Sequence, residues 1–325
     1  MTSSQLADRL QIGMCFDRTF PPSFVLELAR RLDNGGADQL WVIEDCFYTT
    51  GVSLAAAALS VTERLTVGIG ILPAVARTAA ITAMEIATLT GLGTGRLLPG
   101  LGHGVQSWMG QMGVRPASPV TVLEEVLVAV RRLLAGERVT MHGTYVHLDE
   151  VQLDQPPADP PPLLTGVRGP RSLAMAGQSA QGVILAEPAG PSYVRWALKQ
   201  ANRRPSDTFH VAAYGMLCVT ADRKDAYRAM APWLGSKLEK PTTALRALPF
   251  YDDLMARYRA EGVAGLATMP REWWTELGPV GTIDDVATHL QALQDAGAHS
   301  VGLFLTPDVQ AARSQLADVL TLVSR

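Results

Sequence analysis

Cysteine is scarce in this chain. The 325 residues include three, Cys15, Cys46 and Cys218, far apart and odd in number. They form neither a CxxC pair nor a disulfide framework, which excludes a cross-braced secreted domain and fits a reducing compartment. Long apolar runs are missing too. The longest, Leu65–Ala76 and Val52–Val61, fall short of the roughly 18 residues that a membrane span needs. Charge of one sign is not in excess. The 28 basic and 31 acidic residues leave −3, so neither nucleic acid nor an anionic membrane is an expected partner. The N-terminus carries Asp8 and Arg9 and no apolar signal core, so no export signal is expected and the expected location is cytoplasmic.

Several motifs are absent. No GxxxxGK[ST] and no HExxH occurs, so neither a P-loop nor a zinc-protease helix is expected. Gly100-Leu101-Gly102-His103-Gly104 lacks the third glycine of a dinucleotide fingerprint, and Pro99 interrupts its strand. Gly177–Gly182 is one residue too long for a serine elbow. His142 and His147 approach each other across a predicted hairpin without carboxylate or thiolate partners. They read as exposed strand residues, and no metal is expected.

What the chain does have is 47% apolar residues arranged in a βα rhythm. Strands are predicted at Gln11–Phe16, Gln39–Ile43, Leu65–Ile71, Arg96–Leu101, Leu163–Val167, Gly182–Ala186, Phe209–Val219 and Ser300–Leu305. Helices are predicted at Pro22–Gly35, Val52–Ser60, Ala79–Thr90, Val120–Leu134, Pro170–Gly177, Ser192–Asn202, Asp222–Leu234, Thr282–Ala296 and Ala311–Val323. Eight strands, each followed by a helix, predict an α/β fold: one closed (β/α)8 TIM barrel over 1–325. The competing arrangement is an open doubly wound sheet. Two insertions interrupt the rhythm. Residues 138–162 read as a hairpin turning at His142-Gly143 plus a proline-stiffened connector, and 242–276 read as helical. Both are expected to cover the barrel mouth or to form a dimer contact.

In a barrel, function lies where strands end. Glu44, Asp45 and Cys46 follow the second strand, where adjacent carboxylates can hold a polar ring or move protons. Gly70, Ile71 and Leu72 end the third strand, where glycine lets a flat ligand approach the backbone. Gly166, Val167, Arg168, Gly169 and Pro170 join a strand to a helix start, and its N–H groups with Arg168 and Arg171 suit a phosphate. Solvated arginines on an ordinary loop are the alternative.

The stretches ADQLWVIEDCF, ERLTVGIGILPAVARTAAITAMEIATLTGLGTGRLLPGLGHG and VLEEVLVAVRRLLAGERVTMHGTYVHL resemble the bacterial luciferase-like oxidoreductases. So do PPLLTGVRGPRSLAMAGQSAQGVIL and VGTIDDVATHLQALQDAGAHSVGLF, and the likeness is strongest to the actinobacterial branch that uses coenzyme F420. The resemblance covers most of the chain. It implies a (β/α)8 barrel and hydride transfer between F420 and a small organic substrate. Asp45 and Gly70–Leu72 would lie against the ring, with Gly166–Pro170 at the ribityl phosphate. It also implies a non-prolyl cis peptide at or next to Gly70–Ile71. A homodimer is the expected assembly.

The chain departs from the family at its proton-transfer positions. Cys46 stands where some members have a histidine, Val105 where a subgroup has a glutamate, Cys15 in place of a first-strand carboxylate, and Gln181 at a commonly acidic position. Candidates for proton transfer are Glu44, Cys46, His103 and Glu187, with Tyr48 beside them. Trp108, Met109, Ile71, Leu72 and Phe47 would form a dry wall. The alternatives are an FMN-dependent monooxygenase of the same fold and a non-catalytic barrel that binds a flavin-type cofactor.

Overall fold

The computed structural model describes residues 9–325. The stretch 1–8, on which the export-signal reading partly rests, lies outside the described residues. In chain order come β1 (Gln11–Phe16), α1 (Phe24–Asn34), β2 (Gln39–Val42), α2 (Gly51–Ser60), β3 (Thr66–Pro73), α3 (Ala79–Leu92) and β4 (Leu97–Gly102). Next are α4 (Gln106–Gln111), α5 (Pro119–Leu134), β5 (Val139–His142), β6 (His147–Val151), β7 (Leu164–Gly166), α6 (Pro170–Ser179), β8 (Gly182–Leu185) and α7 (Pro191–Gln200). β9 (His210–Met216), β10 (Cys218–Val219), α8 (Arg223–Glu239), α9 (Thr243–Arg246), α10 (Tyr251–Ala267) and α11 (Arg271–Leu277) follow. β11 (Val280–Gly281), α12 (Ile283–Asp295), β12 (Ser300–Phe304) and α13 (Val309–Val323) end the chain. Eight strands close into a barrel in the order β1-β12-β9-β8-β7-β4-β3-β2. The closed order sets aside the open doubly wound sheet.

The chain groups into two compact units. One holds 15–167 and 171–184; the other holds the segment ending at Met14 with 168–170 and 185–325. In the first unit β2, β3, β4, β7 and β8 run parallel in that order. Their buried faces are apolar: Trp41, Ile69, Leu72 and Leu101 have no measurable exposure. Gly68 is glycine because a Cβ there would strike the Trp41 ring. The β3–β4 register shifts between Ile69 and Leu72, a bulge at the carboxyl end of β3.

Helix starts are capped from sequence. The Thr78 hydroxyl accepts from Ile81 N–H, and Ser118, followed by Pro119, accepts from Thr121 N–H. The predicted hairpin forms as β5 and β6 and is fastened to α5 by one carboxylate. Glu125 accepts N–H bonds from Thr144, Tyr145 and Val146 at 2.8, 2.8 and 2.9 Å. Gly143 fits there because a Cβ would meet that carboxylate.

In the second unit β12 pairs in parallel with β9 and with the Gln11–Met14 part of β1. The predicted strand Phe209–Val219 divides: β9 stays in the barrel, while β10 pairs with β11 in a separate two-stranded sheet. Helices α9–α11 occupy the second insertion, as predicted, and α10 bends at Gly262, which takes φ 60°. They share a core with α8 in which Tyr227 and Trp274 stack at 5.0 Å. Asp285, 3% exposed, organises this region. It pairs with Arg223 at 3.1 Å and Arg271 at 2.6 Å and completes a capping box with Thr282 at the start of α12.

Candidate active site

At the carboxyl end of β2, Glu44 accepts two bonds from the Arg77 guanidinium, at 2.6 and 2.8 Å, and a third from Gly51 N–H at 2.9 Å. The same carboxylate therefore caps α2 and anchors the β3–α3 loop. Asp45 is bridged by Arg18 at 3.0 Å, and Arg18 lies over the Tyr48 ring at 4.8 Å. Cys46 is a free, half-buried thiol. Burial first, then the charges of Glu44 and Asp45, push its pKa above the usual thiol value, so it holds its proton. Phe47 and Tyr48, adjacent in the chain, are 64% and 55% exposed.

At the end of β3 the Gly70–Ile71 peptide is cis, as the resemblance implied, and a second non-prolyl cis bond joins Cys46 and Phe47. Ile71 is half-buried. A Cβ at Gly102 or Gly166 would run into its side chain, and one at Gly100 into Ile184 and the Ile69 carbonyl. The glycines that resemble part of a nucleotide fingerprint therefore serve packing: Gly102, with Gly166, clears space for Ile71, and Gly100 for Ile184. Leu72 and Met109 have no exposed surface, so neither presents a side chain to a ring or a dry wall as the sequence suggested; both are core residues.

His103 follows β4 with both ring nitrogens engaged: Nδ1 lies 3.0 Å from Pro119 O and Nε2 2.9 Å from Ser172 Oγ. A carbonyl can only accept, so Nδ1 carries the proton and the Ser172 hydroxyl donates to Nε2. Burial lowers the His103 pKa, which agrees with a neutral ring.

The turn into α6 presents Arg168 and Arg171, both exposed, and neither guanidinium makes a hydrogen bond or ion pair among the described residues. In the second unit the Tyr193 hydroxyl donates to Arg168 O at 3.4 Å, and burial pushes that phenol up to about 12. Glu187 precedes a cis Pro188 and is paired with Lys237 at 3.0 Å. Sequence reasoning passed over Arg77, Arg18, Ser172 and Lys237, because each gains its place from a partner distant in the chain. Among the described residues no group of three His, Cys, Asp or Glu side chains is arranged to hold a metal ion. His142 and His147 are direct register partners across the hairpin.

The chain resembles known proteins along most of its length. A family model described as luciferase-like monooxygenase matches residues 3–300. The chain is 31% identical over 228 residues to the 5,10-methylenetetrahydromethanopterin reductase of Methanolobus tindarius, covering 68% of each. It is 28% identical over 185 residues to an F420-dependent glucose-6-phosphate dehydrogenase of Nakamurella multipartita, covering 53% of this chain and 55% of that one. The match thus spans about two thirds of the first relative and about half of the second. Among solved structures, the coenzyme F420 dependent tetrahydromethanopterin reductase of Methanopyrus kandleri aligns with a TM-score of 0.77 at 21% identity over 97% of both chains. An F420-dependent secondary alcohol dehydrogenase in complex with an F420-acetone adduct aligns with a TM-score of 0.75 at 20% identity, over 97% of this chain and 99% of that one. At those identities the structural likeness is one of fold. The family match over nearly the whole chain, together with the first relative, decides the family: the chain belongs to the luciferase-like monooxygenases.

Proposed function

We propose that the protein is an F420-dependent oxidoreductase that moves a hydride between the deazaflavin and a small organic substrate bearing a C=C, C=N or carbonyl group. One observation carries this reading. The bulge at Gly70–Leu72 lifts Ile71 out of the β3–β4 ladder at a strand's carboxyl end and leaves it half-exposed, a seat for the back face of a flat ring. Two further features fit the group. Phe47 and Tyr48 stand exposed, and Arg168 and Arg171 are uncommitted cations at a helix start, suited to a phosphate with the N–H groups of Gly166, Val167 and Gly169. Pro170, which has no N–H, begins the helix.

Bound F420 supplies or accepts the hydride and reacts poorly with oxygen. The chain's own residues do the rest. Asp45, held by Arg18, would sit beside the ring. Phe47 and Ile71 exclude water. Glu44, His103 and Glu187 are each tied to protein partners and act by positioning. Cys46 keeps its proton at neutral pH and can give it to oxygen or nitrogen as negative charge develops there.

Titrating the protein with F420 and with FMN under anaerobic conditions, and following cofactor fluorescence, tests the reading. Selective F420 binding is expected. Selective FMN binding with substrate-dependent oxygen uptake would overturn it in favour of a monooxygenase. A tightly bound cofactor with no single-turnover hydride exchange would favour a non-catalytic barrel. The scarcity of cysteine fits a cytoplasmic location, and among the described residues no helix is long and apolar enough to cross a membrane. The assembly is a homodimer in this reading. Ile81, Met84 and Leu92 are 45%, 53% and 47% exposed on one face of α3, an apolar stripe that a second copy would cover. Met84→Lys should convert the species seen by light scattering to monomer.

A further inference from the structure

A cavity of about 550 Å³ opens beside the β3–α3 loop, its lining beginning at Ala74, two residues past the bulge. Its walls come from that loop, from the segment after α4, from α5 and from the hairpin. Ala74, Val122, Val126, Val146 and Leu148 lend it apolar side chains. The size is that of a small organic ligand.

The polar groups on these walls are one-sided. No aspartate or glutamate lines the cavity, whereas Arg77, Arg115 and His147 do. Arg77 is already engaged by two carboxylates, Glu44 and Glu85, which more than neutralise it, so it offers the chamber no free charge. Arg115 is exposed and makes no hydrogen bond or ion pair among the described residues. The Tyr145 hydroxyl accepts from Ser118 N–H at 2.7 Å, which leaves its own proton to donate. Thr78 accepts from Ile81 N–H and likewise retains a donor proton. An uncommitted cation and two hydroxyl donors, with no carboxylate in the lining, suit a ligand that carries acceptors and negative charge. The chamber is also preformed, because Glu125 fixes the hairpin wall through three main-chain bonds.

We propose that this cavity is a second ligand site, distinct from the ring seat, for an organic acid with an apolar body and one carboxylate. The acyl chain lies against Val122, Val126 and Leu148, and the carboxylate meets Arg115 and the Tyr145 hydroxyl. The assignment does not depend on which cofactor the barrel holds.

Calorimetric titration of the whole protein with octanoate, 1-octanol and octylamine tests it. Octanoate is expected to bind one per chain, about tenfold or more tighter than octanol, with no binding of octylamine. Arg115→Gln, a change at an exposed position, should weaken octanoate about tenfold. Ala76→Trp fills the chamber from an exposed edge and should abolish binding, with a melting curve confirming the fold. Equal binding of acid, alcohol and amine, or octanoate affinity unchanged in both variants, would overturn the site. A repeat with F420 present separates two sources of the same chemistry. Simultaneous binding means a free-standing acid, whereas stoichiometric displacement means that an acidic arm of the cofactor itself enters the chamber.

Discussion

Arg77 sits between two carboxylates, 2.6 Å from Glu44 and 2.8 Å from Glu85. The Arg77 and Glu44 side chains are only 15% and 8% exposed, so removing the cation strands a buried charge. Arg77→Met is expected to destabilise by about 3–5 kcal/mol, and adding Glu44→Gln should restore a good part of that loss. Urea unfolding of the single and double variants measures both numbers; equal midpoints for the two would reject the coupling. A second prediction concerns Arg168. If its guanidinium meets the cofactor phosphate, Arg168→Ala weakens cofactor binding by about 1.5–3 kcal/mol at low salt, and Arg168→Lys restores part of it. An unchanged dissociation constant rejects the assignment. At this scale the sequence was informative about position and silent about partnership. Glu44, Asp45 and Cys46 stood out as polar residues at a strand end, but the Arg77 that commits Glu44 lies 33 residues away. His103 looked free to give a proton until Pro119 and Ser172 were seen to occupy both ring nitrogens.

The hairpin β5–β6 depends on one side chain of a helix. Burial raises the Glu125 carboxyl, but the N–H bonds from Tyr145, Val146 and Thr144 together outweigh it and hold its pKa below the usual value. Its contribution is therefore present above the unfolded carboxylate pKa and is lost as pH falls through the lower folded value. Glu125→Gln turns one acceptor into a donor facing an N–H group, and should loosen the turn by about 1.5–3 kcal/mol. Amide exchange at Thr144, Tyr145 and Val146 should then rise about 10–100-fold, with the barrel amides unchanged. Uniform acceleration across the chain would contradict a local clamp. Elements with strong periodicity and clear stops, such as α1, β3 and α5, were legible in the sequence to within a few residues. The break between β9 and β10 was not, because an apolar run shows no sign of which sheet it joins. Cys218 and Val219 leave the barrel only because Val280 and Gly281 offer them another edge. The helix α4 escaped notice since six residues carry too little periodicity to register.

For the molecule as a whole, three histidines, His289 buried and His210 and His299 half-buried, are expected to set the acid limit of stability. Burial, and then the neighbouring His299, drives the His210 pKa down to about 3; burial drives His289 down to about 4. His299, stacked on His210 at 5.4 Å, uses Nδ1 to accept Val211 N–H, so protonation there would break a bond. Unfolded histidines take up protons near pH 6.5, whereas these folded ones resist. Stability should therefore be full above about pH 6.5 and fall as pH drops toward 4, by about 1.4 kcal/mol per pH unit for each histidine involved. Urea midpoints from pH 7.5 to 4.5 give the slope, and His210→Asn should flatten it; a flat wild-type profile would reject the account. Asp285 has a different kind of consequence. By pairing with Arg223 before the second insertion and Arg271 near its end, it ties together the two ends of a long excursion. Once the ends of a loop are tied, doubling its length adds only about 0.6 kcal/mol of closure entropy. The exposed turns between Thr242 and Pro270 can therefore be lengthened at little entropic penalty, provided that Leu245, Leu254 and Leu266 keep their places in the core shared with α8, which makes those turns the natural place for this barrel to vary.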